Sequence, residues 1–217
     1  MHSLVRLLMQ IDLTRPQKLY RYSEKQWLER SIKFGEFRIR PAADYYTIET
    51  DRARNDDEMV RIHSSPGENV VITDVVSGAR IKPLGDVTYR SKVGTNYLTL
   101  CFSKCWNVKL FGEFPGTDAC LVIHKVEEFS ERVHLALSAM LPDWIGMDAA
   151  VSYGRSHALG AVFMKPPHPQ FVMQHEWRFA WRPAAALSTI DPIRLKIDSI
   201  ERIAEIVERP ASLAVAC

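Results

Sequence analysis

Phe171-Val-Met-Gln-His-Glu-Trp-Arg-Phe-Ala-Trp181 is the stretch on which the reading of this 217-residue chain turns. Its period-two alternation predicts a strand over 171–181. Phe171, Met173, His175, Trp177, Phe179 and Trp181 fall on one face, and Val172, Gln174, Glu176, Arg178 and Ala180 on the other. The first face is large and mostly apolar, as a core-facing surface should be. The second carries Gln, Glu and Arg in succession, which allows two readings. It is a solvated polar face, or it holds a carboxylate on a rigid element with an amide beside it to orient it.

The neighbouring segments set the class of fold around this strand. A Pro-rich break, KPPHPQ, precedes it, and short strands are predicted at 151–153 and 159–165. Further back, residues 126–141 read as a helix, with Val126, Phe129, Val133, Leu137 and Met140 at helical spacing and Pro142 after the end. β-Branched and aromatic residues predict strands at 70–76, 97–103 and 119–124. Residues 44–61 are polar and read as a long connection or a short helix. Near the N-terminus a strand at 18–22 leads into a capping box, Ser23 to Gln26, then a helix over 24–33, a stop at Gly35 and an alternating strand at 36–40. A strand at 193–197 and a second capping box, Asp198 to Glu201, predict a closing strand–helix pair over 192–209, with Ile200, Ile203, Ala204 and Val207 inward. Many strands joined without intervening helices imply an α+β fold: one domain over 1–217, mixed and mainly antiparallel sheets, two or three helices. Neither G-x-G-x-x-G nor G-x-x-x-x-G-K-[ST] occurs, so the common phosphate-cradling loops are absent.

Composition narrows the function classes. Lys and Arg number 28 against 26 Asp and Glu, and the stretch 30–61 holds seven residues of each sign, so no basic stripe marks a nucleic-acid binder. A basic groove around Arg38, Arg40, Arg52 and Arg54 is the one route to such an interface. No run approaches the ~18–20 apolar residues that span a bilayer, and the N-terminal stretch lacks the features of a secretory signal. A cytoplasmic chain that does not engage a membrane is expected. Cys101, Cys105, Cys120 and His124 have spacing admissible for structural zinc. Cys101 and Cys120 lie in apolar runs, however, where free cysteine acts as a small buried residue, and no metal is expected. The other histidines show no pairing in sequence.

Two further segments carry polar groups on strands. Leu98-Thr-Leu-Cys-Phe-Ser103 places Thr99, Cys101 and Ser103 on one face, a row of small groups that admits a close-packed sheet or a ligand. Tyr20-Arg21-Tyr22 places Arg21 opposite its two tyrosines, either as a surface residue or as a bidentate anchor for phosphate or carboxylate.

Taken in order, Arg21, then Cys101-Phe-Ser103, then Gln174-His-Glu176 resemble the Arg … Ser-x-Ser … Gln/Glu-x-Glu pattern of the ADP-ribosyltransferase superfamily. Tyr20-Arg21-Tyr22, Gly35-Glu-Phe-Arg-Ile-Arg40, Asn55-Asp-Asp-Glu58, Cys101-Phe-Ser103 and Phe163-Met-Lys165 leading to Gln174-His-Glu176-Trp-Arg178 are also similar to a family of uncharacterised bacterial and phage proteins. The resemblance implies a split β-sandwich over about 18–182 and an enzyme consuming NAD, or a related dinucleotide, as substrate. Such an enzyme would cleave the nicotinamide–ribose bond and act as a toxin or phage-defence effector. It assigns Glu176 and Gln174 as catalytic residues, the first to stabilise the oxocarbenium-like charge and the second to orient an unspecified acceptor. It assigns Arg21, Ser103, Cys101 and Tyr22 to the dinucleotide, with Tyr22 or Tyr45 stacking on nicotinamide. Arg21, Ser103 and Glu176 should then line one cleft. The competing reading is a non-catalytic binding module of a mobile-element or defence system. Cys101 departs from the first serine of the middle motif.

Overall fold

Eight of the strands are gathered into one sheet around a central strand. The computed structural model describes residues 13–47, 57–92, 94–153, 161–165, 168–187 and 189–211. Its elements are β1 (Leu19–Ser23), α1 (Lys25–Phe34), β2 (Glu36–Pro41), β3 (Val60–Ser65), β4 (Ile72–Thr73), β5 (Arg80–Ile81), β6 (Val87–Lys92), β7 (Leu98–Ser103), α2 (Leu110–Glu113), β8 (Ala119–Ile123), α3 (Val126–Met140), β9 (Trp144–Ala150), β10 (Ser152–Tyr153), β11 (Met164–Lys165), α4 (Pro169–Val172), β12 (Glu176–Pro183), β13 (Ile193–Lys196) and β14 (Ala204–Glu208).

Eight strands form one antiparallel sheet with β7 as its hub. One edge of β7 pairs with β12 from Glu176↔Ser103 to Trp181↔Leu98, and β12 passes on to β9. The other edge is shared. β1 joins it at Tyr20↔Ser103, and β2 at Arg40↔Thr99 and Pro41↔Leu98. The sheet therefore forks: one limb runs through β8 to β14, the other from β2 to β13. Helix α1 is the covalent link between the limbs. Its C-terminus needs Gly35, which sits at φ 60°, and a Cβ there would lie 2.1 Å from the Asp198 carbonyl oxygen. Its N-terminus is closed by Asp118, whose Oδ1 accepts from the Lys25 amide at 2.6 Å. The capping box predicted at Ser23 is not formed.

The main core lies between this sheet and α3. Phe102, Phe129 and Phe179 meet edge-on at 5.4–6.0 Å between centroids, as aromatic quadrupoles prefer. Trp177 and Trp181 extend the same layer. Outside the sheet, β3–β6 and β4–β5 form two-stranded ribbons, and β10–β11 is a short parallel pair.

Several sequence expectations are corrected. Residues 171–181 are not one strand. Pro169 starts the single turn α4, the His168 carbonyl accepts from the Phe171 and Val172 amides, and His175 takes φ 42° before β12 begins at Glu176. The alternation holds from Glu176 onward and fails before it. The closing helix over 198–209 is instead a turn followed by β14, because the free edge of β8 captures Ala204–Glu208 in register. Four α-helices occur among the described residues rather than two or three, two of them single turns. The strand predicted at 70–76 shrinks to Ile72–Thr73, and β3, β6 and β9 were not foreseen. Of the strand predicted at 159–165, residues 159–160 lie outside the described residues, 161–163 form a 3-10 turn, and only Met164–Lys165 is extended.

Candidate functional site

The face of β12 opposite the core continues onto β7. Register places Glu176 beside Ser103, Arg178 beside Cys101 and Ala180 beside Thr99. This polar face is buried, not solvated. Glu58, Lys165, Glu176 and Arg178 are 3%, 6%, 2% and 1% exposed, a degree of burial that charged side chains tolerate only when paired.

The pairing is complete. Arg178 Nε donates to Glu176 Oε1 at 2.7 Å, Nη1 to Glu58 Oε2 at 2.8 Å and Nη2 to Glu58 Oε1 at 2.8 Å, the bidentate geometry that suits guanidinium and carboxylate. Nη1 also donates to the Val162 carbonyl at 2.6 Å. Lys165 Nζ lies 2.9 Å from Glu176 Oε2, 3.6 Å from Glu58 Oε1 and 5.0 Å from the centre of the Phe171 ring. Two carboxylates and two cations thus form a neutral cluster contributed by three separate segments: position 58 before β3, β11 and β12.

Polar side chains surround it. Tyr97 Oη donates to Glu58 Oε2 at 3.3 Å, and the Glu176 amide donates to Tyr153 Oη at 2.8 Å. The Cys101 thiol lies 3.2 Å from Thr99 Oγ1 and within electrostatic reach of the Glu176 carboxylate. Burial works against the charge on both glutamates, but Arg178 and Lys165 outweigh it and hold both below the usual carboxylate range. Burial likewise opposes the Lys165 ammonium, and Glu176 and Glu58 hold it above its ordinary value. Burial pushes the Cys101 thiol up to about 12, so it stays protonated.

Arg21 occupies the fork. By alternation it falls on the core-side face, its guanidinium 5.7 Å from the Phe102 ring centre, whereas Ser103 and Glu176 are on the opposite face, so the three do not share one face of the sheet as a common cleft requires. Nη1 donates to the Cys101 carbonyl at 3.0 Å. Cys101 lies between the points where β1 and β2 join β7, so Arg21 satisfies a carbonyl that the fork leaves without a ladder partner. The Tyr45 phenol, its pKa raised by burial, feels Cys101, Arg21, Glu176 and Arg178 together, which brings the fork and the charged cluster within electrostatic reach of each other.

The other predicted residues fall as follows. Gln174 leaves the strand face altogether: it sits in the turn after α4, its Nε2 donating to the Gln170 carbonyl at 3.1 Å. Ser103 turns toward the following loop, donating to the Cys105 carbonyl at 2.7 Å. Tyr22 packs edge-on against Phe111 in a second apolar cluster, its hydroxyl accepting from the Asn107 amide at 2.8 Å. The zinc-spaced residues diverge. Cys101 lies against Thr99 and opposite Arg178, Cys105 is exposed, Cys120 is buried with Tyr22, and His124 lies 3.1 Å from Glu205. Arg38 and Arg40 lie on β2, while Arg52, Arg54, Asn55 and Asp56 fall outside the described residues.

Glu58, Lys165 and Tyr97 were not singled out as site residues. Lys165 sits before a Pro-rich break and Glu58 ends an acidic run that reads as a solvated connection, so neither carries a local signal of burial. A second polar group lies among the core aromatics: Asp148 accepts from Arg15 Nε and Nη2 at 2.9 Å and from Trp177 Nε1 at 3.1 Å, with His134 Nε2 at 2.9 Å. A surface cavity of about 470 Å³ at the β4–β5 ribbon shares no residue with either cluster.

Comparison with family profiles, with curated proteins and with solved structures gives no match.

Proposed function

We propose that this chain is an ADP-ribosyltransferase-like enzyme that cleaves the nicotinamide–ribose bond of NAD. One observation carries the reading: the strands bearing Arg21, Cys101 with Ser103, and Glu176 are consecutive neighbours, β1–β7–β12, although they lie far apart in sequence and Arg21 and Glu176 are on opposite faces of the sheet. The fork beside β7, which separates two limbs of one antiparallel sheet, supports a split-sandwich arrangement. In the proposed reaction the electron pair of the C1′–N bond leaves with nicotinamide. The positive charge that develops on the ribose is stabilised by the Glu176 carboxylate, which its cationic neighbours keep ionised. Arg21, at the fork, supplies charge for the dinucleotide phosphates. The acceptor then bonds to C1′ and releases a proton.

A second reading has its own observation. Arg178 donates to Glu176, Glu58, the Val162 carbonyl and Tyr97 Oη, so the cluster also serves as a clamp holding two connecting segments to the sheet. In that reading the chain is a non-catalytic binding module.

Titration with NAD by calorimetry and assay of free nicotinamide separate the two. The enzyme reading expects Glu176→Gln to lower nicotinamide release by about 10²–10³-fold with folding preserved, and Arg21→Ala to weaken NAD binding. A folded wild-type protein that neither binds NAD nor releases nicotinamide refutes the enzyme reading in favour of the clamp.

A further inference from the structure

The proposed reaction brings a cationic ring to a site that already holds two cations, and electroneutrality constrains how. Glu58, Glu176, Lys165 and Arg178 balance, and each is more than nine-tenths buried. An additional unpaired charge is expensive to bury. A cationic ligand therefore gains access to these carboxylates only by replacing a cation already present.

The two resident cations are held very differently. Arg178 is carried on β12, between β7 and β9, and its planar fork engages both carboxylates and the Val162 carbonyl at once. Lys165 is carried on a two-residue strand that pairs with the equally short β10. It is a point charge on a flexible stem, placed between Glu176, Glu58 and the face of Phe171. Carboxylate on one side and an aromatic face on the other is the environment that recognises an organic cation.

We propose that Lys165 is a resident stand-in for the substrate's charge: Glu176, Glu58 and Phe171 form a cation subsite, and an N-alkylpyridinium ring takes the place of the ammonium when Lys165 swings out. This rests on the NAD reading above and deepens it by saying how the charged ring is recognised: by exchange with a resident ammonium between two carboxylates and an aromatic face. The charge count also closes over a turnover. When the C1′–N bond breaks, its electron pair stays on the ring nitrogen and nicotinamide becomes neutral. The positive charge passes to C1′ and is discharged as a proton once the acceptor has bonded there. The subsite is then one positive charge short, and the returning Lys165 ammonium restores the balance and displaces the neutral product.

The test compares 1-methylnicotinamide, a cation, with nicotinamide, its neutral counterpart of nearly the same shape. Binding to the full chain is measured by calorimetry for wild type, Lys165→Gln and Lys165→Ala. Removing the internal competitor should tighten 1-methylnicotinamide binding by about tenfold or more, because the competent fraction of the site rises, and should leave nicotinamide binding unchanged. A clamp role alone would not separate the two probes. In parallel, acylation of Lys165 in the wild-type protein is followed by peptide mass spectrometry and should accelerate with 1-methylnicotinamide but not with nicotinamide. A folded Lys165 variant with no gain for the cation overturns the proposal. If neither variant folds, an unchanged Lys165 acylation rate at the highest probe concentration overturns it. Nicotinamide release from NAD by wild type without these effects removes the stand-in and leaves the enzyme reading. Tighter cation binding without any release leaves the subsite and removes the reaction.

Discussion

Replacing Arg178 with Met keeps the length and much of the volume of the side chain while deleting its charge, and so isolates what the guanidinium contributes. Three charge-assisted bonds at 2.7–2.8 Å are lost, each worth about 1.5–3 kcal/mol in isolation. Their sum overstates the effect, because folding also strips water from the guanidinium. Breaking a buried pair by removing one partner costs about 3–5 kcal/mol, since the charge left behind is uncompensated. In Arg178→Met two carboxylates remain with Lys165 alone. Against a total stability of about 5–15 kcal/mol this is a large share, and for a chain of this size it corresponds to a fall of about 6–20 °C in Tm.

Urea unfolding followed by circular dichroism, with the slope checked for constancy, measures the loss. Its pH dependence tests the cause. In wild type both glutamates are held below their usual range, so their stabilisation is complete above about pH 4.3 and is lost as pH falls toward their folded values. In Arg178→Met burial raises those values instead, protonation favours the folded state, and the gap between the two proteins should narrow as pH drops from neutrality. A loss under about 1 kcal/mol, the range of exposed pairs, or a gap that does not change with pH would refute the buried cluster.

Asp148 is held below the usual carboxylate range by Arg15 and His134 acting against burial. Asp148→Asn should therefore cost about 1.5–3 kcal/mol at neutral pH and flatten the acid limb of the stability curve below about pH 3.9; an unchanged acid limb would contradict this. A Cβ at position 146 would lie 2.5 Å from Trp181 Cδ1 and 2.9 Å from His134 Nδ1. Gly146→Ala should lower stability by about 1–3 kcal/mol and alter the near-ultraviolet signal of the tryptophans, whereas an unaltered spectrum would show that Trp181 does not rest on this glycine. Replacing Glu58, Lys165, Glu176 and Arg178 together by Met or Leu should leave stability equal or higher, as exchanging a buried ionic group for well-packed apolar residues commonly does. The same protein should lose nicotinamide release, and retained release would place the chemistry elsewhere.

The sequence made the sheet legible where local pattern and tertiary demand agree. Leu98–Ser103, Ala119–Ile123 and Val126–Met140 form as their residues predict, because each turns one apolar face toward the same core. It misled where a neighbour decides the outcome. Ala204–Glu208 has an adequate helical pattern, yet the open edge of β8 offers five paired residues and takes it as a strand. Gln174 and Glu176 share a strand face on paper, but Pro169 launches a turn that ends only at the left-handed His175, and the two separate. The catalytic pairing implied for them depended on that alternation. Glu176 was found because it stands beside aromatic residues on a strong strand. Glu58 and Lys165 were missed because nothing local distinguishes a solvated charge from one destined for burial, and only folding brings position 58 within hydrogen-bonding distance of position 178.

That long-range convergence bears on why charges are used there at all. An apolar filling of the same space would be at least as stable, since the ion pairs must first offset the desolvation of four groups. The sheet does not need them for register either: β12 is paired along its length with both β7 and β9 by backbone bonds, with Trp177, Phe179 and Trp181 anchored in the core on the other face. What the charges add falls on the polar side. Arg178 fastens Glu58 and Val162, and Lys165 reaches Glu176 from a two-residue strand. Arg178 supplies the fastening, since its guanidinium already engages both carboxylates. It carries one positive charge against two negative ones, and Lys165 balances the second. That balancing charge is the one the proposed cation subsite exchanges with a diffusible cation.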